Sequence, residues 1–403
     1  MPTAAAPPKG PAQLDLGDTR IAFATKSNGD LWRAYQLFRI IGNPLISTIG
    51  GALSKFALAL HLPVKGLIKA TIFKQFCGGE TIEDSLGTAK KLAESDVGTI
   101  LDLSVEGQDD EASLDAAVEE VLRTIATAKD HAEIPYCVFK PTGVARMELM
   151  ERVSEGEELE GASQAEWQRA TARVERICEA AHAANVPILV DAEESWIQPA
   201  VDDLVERMMQ RFNTDRAIIF NTVQLYRHDR LAFLKAACDK ASGGGYHLGV
   251  KLVRGAYMEK ERARAAEKGY ADPIHTSKEA VDRDYDAALR FCMDHIDRVS
   301  IVAGTHNEQS SLLLTRLMNE RGIAHNDARI CFSQLLGMSD NISFNLAAAG
   351  YRVAKYVPYG PVREVLPYLL RRAQENTSAR GQTSRELGLI IAERKRRALK
   401  GTA

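Results

Sequence analysis

AIIFNTVQLYRHDRLAFLKAACDKASGGGYHLGVKLVRG, residues 217–255, holds the pattern that decides the fold. A continuous apolar run (217–226) leads into a segment of helical composition from Asp229 to Lys240, and a second apolar run follows at 247–255. Strands buried on both faces need apolar runs without alternation, and a helix between two such strands lets them lie parallel. An open, doubly wound sheet would carry a glycine-rich phosphate loop directly after an early strand. Here the only glycine cluster, Gly243 to Gly245, precedes a strand, as a connecting loop would.

The same unit recurs on both sides. GTILDLS (98–104), PYCVFK (135–140) and VPILVDAEE (186–194) come before it; VSIVAGTHN (299–307), ARICFSQLLG (328–337) and RVAKYVPYG (352–360) come after. Helical composition fills Ala112 to Lys129, Gln164 to Ala184 and Glu308 to Arg321. Eight strand–helix units predict an α/β chain closed into a (β/α)8, TIM-like barrel. The 403 residues suit one large barrel with an added segment. Residues 1–28, rich in Ala, Pro and Gly, are expected to be loose; 29–80 read as a helical arm, and 81–395 as the barrel. Thr81, three residues before Asp84, signals a capped helix start between arm and barrel.

Net charge is −3 with both signs well mixed, so no nucleic-acid partner is expected. Six scattered cysteines suggest neither a disulfide framework nor a zinc site, and small core hydrophobes in a reducing compartment are the simpler reading. No spacing of His, Asp and Glu calls for a metal. The first twenty residues lack the features of a signal peptide or presequence, so a cytoplasmic location is expected. The apolar stretch Leu45 to Phe76, with Lys55, Lys65, Lys69 and Lys74, has the composition of a segment lying on the inner face of a membrane. An arm packed on the barrel explains it more simply.

What ends the strand runs is more informative. Lys140, Asp191 with Glu193, Gln224 with Tyr226, and Lys251 with Arg254 and Tyr257 close the second to fifth runs. Thr305, His306 and Asn307 close the sixth, Gln334 the seventh, and Lys355 with Tyr356 the eighth. In a barrel all of these fall toward the C-terminal mouth, where active sites are built, and so many polar ends suggest a large polar ligand. Asp191 and Glu193, two apart, would share a side, which leaves structural ion pairing and acid/base chemistry both open. After Pro361 a helix is predicted to about Asn376, with Pro367 expected to kink or interrupt it. Tyr368, Arg371, Arg372 and Glu375 share one of its faces: either a pocket for a small zwitterion, or a solvated face with an Arg–Glu pair.

YVPYGPVREVLPYLLRRAQEN resembles the C-terminal signature of proline dehydrogenases, in which a strand-end tyrosine precedes a helix bearing Tyr-x-x-Arg-Arg-x-x-Glu-Asn. KLVRGAYMEKER, GTHNEQ, DAEES, NTVQLY, FSQLLGM and the lysine of FKPTG resemble further motifs of that family, in order, over roughly residues 70–390. The resemblance implies oxidation of L-proline to pyrroline-5-carboxylate with FAD as cofactor and a quinone as acceptor. It also raises a pyrroline-5-carboxylate dehydrogenase as a partner for the product. It places Arg371 and Arg372 on the proline carboxylate with Lys140 assisting, Glu375 orienting the arginines, and Tyr257, Leu336, Tyr356 and Tyr368 around the ring. Asp191 would support Lys140 and the flavin side. FAD contacts implied by the motifs are Gln224, Lys251, Gly255, Ala256, Thr276, Lys278, Thr305, His306, Asn307 and Gln334, with Asp191 and Glu375.

The sequence departs from many bacterial members at Lys251, where they have arginine, and in this resembles mitochondrial-type relatives. Met258 stands where the large bifunctional members have tryptophan. The chain is too short for their aldehyde dehydrogenase domain, so a monofunctional enzyme is expected. Hydroxyproline-oxidising relatives tend to have a smaller residue in place of Tyr356, so plain proline is the expected substrate and hydroxyproline the alternative. A (β/α)8 enzyme without flavin, acting on a phosphate-bearing substrate, is the remaining competitor; it gives the Arg371/Arg372 pair no role.

Overall fold

The computed structural model describes residues 14–41, 65–104, 109–378 and 382–400. Its centre is a closed ring of eight parallel strands: β1 (Val97–Leu103), β2 (Tyr136–Phe139), β3 (Ile188–Val190), β4 (Ile219–Gln224), β5 (Leu248–Val253), β6 (Val299–Gly304), β7 (Ile330–Leu335) and β8 (Val353–Tyr359). Ring closure is the pairing of β1 with β8, from Val97 opposite Val353 to Leu103 opposite Tyr359. The expected barrel is the observed one.

Alternation along the strands divides the apolar residues between two cores. Ile100, Val138, Leu189, Phe220, Val302 and Ala354 fill the barrel, where the Tyr136 and Phe220 rings meet edge to face at 5.9 Å. Their neighbours, such as Leu101, Cys137, Ile219 and Phe332, face the surrounding helices. Five of the six cysteines are buried in these layers, and Cys77 is buried in the cluster formed by the arm and the last helices. Several helix starts have a local cause: Thr81 Oγ1 accepts from Asp84 N at 3.1 Å, Asp110 caps Glu111–Asp130, and Asn307 caps Glu308–Glu320.

Three readings need correction. The cluster Gly243–Gly245 is no free loop: Gly243 and Gly244 finish the helix Arg230–Gly244, and Gly245 ends it at φ 73°, the left-handed cap that glycine adopts without strain. Lys355, expected at the mouth, points the other way. Tyr356 takes the interior position, so its neighbour Lys355 lies fully buried outside the ring, paired with Asp340 at 2.8 Å. Pro367 does not interrupt its helix, which runs Val362–Ser378. Val365, Leu366, Tyr368 and Leu369 are buried around it, and that packing offsets the lost backbone bond.

The segment expected to be loose is described from residue 14, and that part packs. Leu16 joins the main core, while Ala22 and Phe23 join a second cluster with Val365, Tyr368, Leu389 and Ile390. The last helix, Gln382–Lys400, meets this segment through Glu393, which accepts from Thr19 Oγ1 at 3.0 Å. The arm is seen as Asn28–Ile41 and as Lys65–Ile68 continuing through Lys69–Phe73 and Lys74–Phe76. Residues 42–64, and with them most of the stretch proposed to lie on a membrane, fall outside the described residues. Among the described residues no helix is long and apolar enough to cross a membrane.

Candidate active site

At the C-terminal ends of β1, β2, β3, β5 and β8, five polar side chains form one connected chain. Lys140 Nζ donates to Asp102 Oδ1 at 2.5 Å and lies 3.9 Å from Asp191 Oδ2. Asp191 Oδ1 accepts from Lys251 and, at 3.2 Å, from the Tyr356 hydroxyl. Lys251 Nζ donates to that hydroxyl at 2.7 Å. Two lysines and two carboxylates thus alternate across the mouth, so their charges cancel and each buried ion has a partner. Burial, and then the carboxylates of Asp191 and Asp102, push the Tyr356 phenol well above its usual range. Tyr356 is therefore a neutral donor at any ordinary pH.

Asp102 was missed by the sequence reading. It follows four apolar or small residues in GTILDLS, and the signal was available: the alternation that sends Ile100 inward sends Asp102 inward too. Asp191 and Glu193, which spacing placed on one side, have separate duties. Both Glu193 carboxylate oxygens hold Thr142, at 2.9 Å to its N–H and 2.7 Å to its hydroxyl, fixing the turn Pro141–Gly143 behind Lys140.

Gln224 shares the inward side of β4 with Phe220. Its Nε2 donates to the Glu193 carbonyl at 3.0 Å, and its buried Oε1 has no hydrogen-bond partner. A buried amide oxygen without a donor marks a place where a ligand's N–H is expected. Past β5, Gly255 (φ 134°) and Ala256 expose bare backbone. A Cβ on Gly255 would come within 2.4 Å of the Tyr226 ring, so only glycine permits this approach. Arg254 braces the neighbourhood, donating to Thr305 Oγ1 at 2.7 Å and Asp282 Oδ1 at 2.8 Å.

The remaining expected residues divide. Tyr257 and Arg371 come together, the guanidinium carbon lying 6.0 Å from the ring centre. Since Arg371 is carried by the helix that leaves β8 and Tyr257 follows β5, that helix reaches across the mouth. Leu336 is half-buried and hydrogen-bonds through its N–H to the Tyr356 carbonyl at 2.8 Å. Tyr368 sits buried with Val365 and Leu369 in the terminal cluster. His306 Nδ1 is 2.9 Å from Ser339 Oγ. Thr276 and Lys278 are exposed near the start of the helix Lys278–Asp294, with Lys278 paired to Asp282 at 2.5 Å. Asn307 Oδ1 is engaged as a helix cap. Gln334 faces outward between the Thr305 carbonyl (3.1 Å) and the Ser343 hydroxyl (2.8 Å), which makes it a support of the β6 end. The side chains of Arg372 and Glu375 lie outside the described residues.

A closed (β/α)8 barrel with a charged, internally neutralised mouth and a helix crossing it is an enzyme's architecture. The family model for proline dehydrogenase matches residues 85–385, and the chain belongs to the proline dehydrogenase family, a family of oxidoreductases. It is 37% identical to the carbapenem antibiotics biosynthesis protein CarD of Pectobacterium carotovorum subsp. carotovorum, over 84% of this chain and 87% of that one. It is 31% identical to the mitochondrial proline dehydrogenase 1 of Arabidopsis thaliana, over 97% and 88%. A hydroxyproline dehydrogenase of Xenopus laevis is 43% identical over 56% of this chain and 49% of its own. Among solved structures, proline utilization A (PutA) of Bdellovibrio bacteriovorus, inactivated by N-propargylglycine, superposes with a TM-score of 0.70. The match covers 89% of this chain and 38% of that one at 19% identity, which speaks for the fold alone.

Proposed function

We propose that this chain oxidises L-proline to pyrroline-5-carboxylate with FAD as cofactor, passing the electrons to a quinone. The observation that carries the reading is the paired network Asp102–Lys140–Asp191–Lys251–Tyr356 at the mouth of a proline dehydrogenase family barrel.

The residues present suit a flavin. The orphaned Gln224 Oε1 would accept a ring N–H, Gly255 and Ala256 offer open backbone, and His306 with Thr305 stands at the end of β6. When bound, FAD supplies the acceptor for the hydride that leaves C5 of proline. Lys251 then lies where an ammonium would stabilise the negative charge of a reduced flavin. Arg371, with Arg372 beside it in sequence, takes the proline carboxylate through forked donors, and Lys140 adds a second cation. Tyr257, Leu336, Tyr356 and Tyr368 exclude water from the ring. The ring nitrogen gives up its proton to solvent, since both mouth carboxylates are already committed to lysines.

Tyr356 decides for proline over hydroxyproline. Its phenol is held by Lys251 and Asp191 and cannot swing aside without breaking both bonds, so an added ring hydroxyl meets a fixed wall. The enzyme acts from the cytoplasmic side, reaching a membrane quinone, and hands its product to a pyrroline-5-carboxylate dehydrogenase. The activity is tested by supplying L-proline and a soluble quinone and trapping the cyclic imine with o-aminobenzaldehyde. Adduct formation that needs both supports the reading; adduct without any acceptor, or none at all, removes it.

A further inference from the structure

The loop after β7 is held from three directions by parts of the chain that lie outside the eight strand–helix units. From the arm, Gln75 Nε2 donates to the Gly337 carbonyl at 3.0 Å; a Cβ on Gly337 (φ 77°) would fall 2.2 Å from the Gln75 carbonyl oxygen. From the N-terminal segment, Lys26 Nζ joins Lys355 on Asp340, at 2.9 and 2.8 Å. From the last helix, Glu386 Oε1 accepts from Ser339 N at 2.5 Å.

Ser339 is the point on which these contacts act. It is fully buried and left-handed, at φ 50° and ψ 43°, although it is not glycine. Such a conformation is strained for a residue other than glycine and persists only where the surroundings impose it. What the conformation achieves is visible at the side chain: Ser339 Oγ meets His306 Nδ1 at 2.9 Å, across from the end of β6. The hydrogen bond made by one imidazole nitrogen sets the ring's orientation and the protonation of the other.

We propose that Ser339 and Glu386 are positioning residues for His306, and that through them the last helix helps to hold the flavin. This rests on the flavin reading above and extends it to residues no site motif contains. Glu386 fixes the backbone of Ser339; the Ser339 hydroxyl fixes the imidazole; and the Lys26–Asp340–Lys355 cluster keeps the loop from relaxing.

The test is a double-mutant cycle on FAD affinity, measured by titrating the flavin-stripped full chain. Ser339→Gly keeps the left-handed backbone and removes the hydroxymethyl side chain that meets His306. Losing one such bond should weaken FAD about five- to tenfold, with the thermal midpoint of the flavin-free protein unchanged. In a His306→Ala background the same substitution should cost nothing further, and Glu386→Ala should show the same dependence on His306. An affinity within twofold of wild type, or a loss that multiplies undiminished onto His306→Ala, overturns the inference. Should Ser339→Gly not fold, Ser339→Ala is read by the same criteria. A wild-type chain that takes up no flavin overturns the flavin reading and this inference together; uptake without coupling overturns this inference alone.

Discussion

Lys251 Nζ donates a 2.7 Å hydrogen bond to the Tyr356 hydroxyl and also lies 4.7 Å from the centre of the Tyr356 ring. The two side chains come from the second half of the barrel, on β5 and β8, and both touch Asp191, which follows β3 in the first half. An ammonium, a neutral phenol and a carboxylate are thereby locked in one arrangement at the mouth of the barrel.

On the proposed reading, that lock makes Tyr356 a specificity residue. Tyr356→Ser opens the space a ring hydroxyl needs, and the ratio of kcat/KM for hydroxyproline to that for proline should rise about tenfold, within the span of about 1–3 kcal/mol typical of one hydroxyl in a shaped pocket. Steady-state kinetics on both substrates decide it. An unchanged ratio removes Tyr356 from the pocket.

Lys251 should tune the cofactor. Lys251→Met removes a positive charge and leaves Asp191 with Lys140 at 3.9 Å as its nearer cation. Both changes disfavour adding negative charge nearby, so the two-electron potential of the bound flavin should fall, by about 30–60 mV for about 1.4–3 kcal/mol. Spectroelectrochemical titration reads the shift. A potential that rises would contradict the assigned place of Lys251.

Asp102→Ala strands Lys140, which is only 8% exposed in its side chain. Removing one partner of a buried pair costs about 3–5 kcal/mol, reduced here to the extent that Lys140 turns to Asp191. The denaturation midpoint should drop, and proline KM should rise more than kcat falls. Asp102→Asn, which keeps an acceptor oxygen, should recover part of both.

Asp340 predicts an acid limb. Burial alone would raise its carboxyl, but the ammonium groups of Lys26 and Lys355 outweigh burial and hold it at about 2, below the ordinary value of 3.8. The folded state therefore binds this proton less readily than the unfolded chain. The resulting stability, about 2 kcal/mol, is present above pH 4 and is lost as pH falls from 4 toward 2. Denaturation midpoints followed across that range should fall less steeply for Asp340→Asn, although that variant is the less stable of the two at neutral pH.

Much of this was legible in the sequence because parallel barrel strands advertise themselves: eight apolar runs, seven of them stopped by polar residues, became eight strands. Lys140, Asp191, Lys251 and Tyr356 were found because a polar residue ending such a run falls at the mouth. Asp102 escaped because it lies inside its run rather than at its end. Lys355 was misplaced because one residue of phase along a strand turns a side chain from the interior to the outside. Ser339 and Glu386 carried no local signal at all: their meaning lies in a contact 47 residues apart, which only the folded chain creates.

The most direct measurement is the visible spectrum of the purified protein before and after L-proline is added without oxygen. A yellow protein that bleaches with proline, and much less with hydroxyproline, is the predicted result. A yellow protein indifferent to proline would contradict the substrate pocket, and a colourless one that cannot be reconstituted with FAD would contradict the account as a whole.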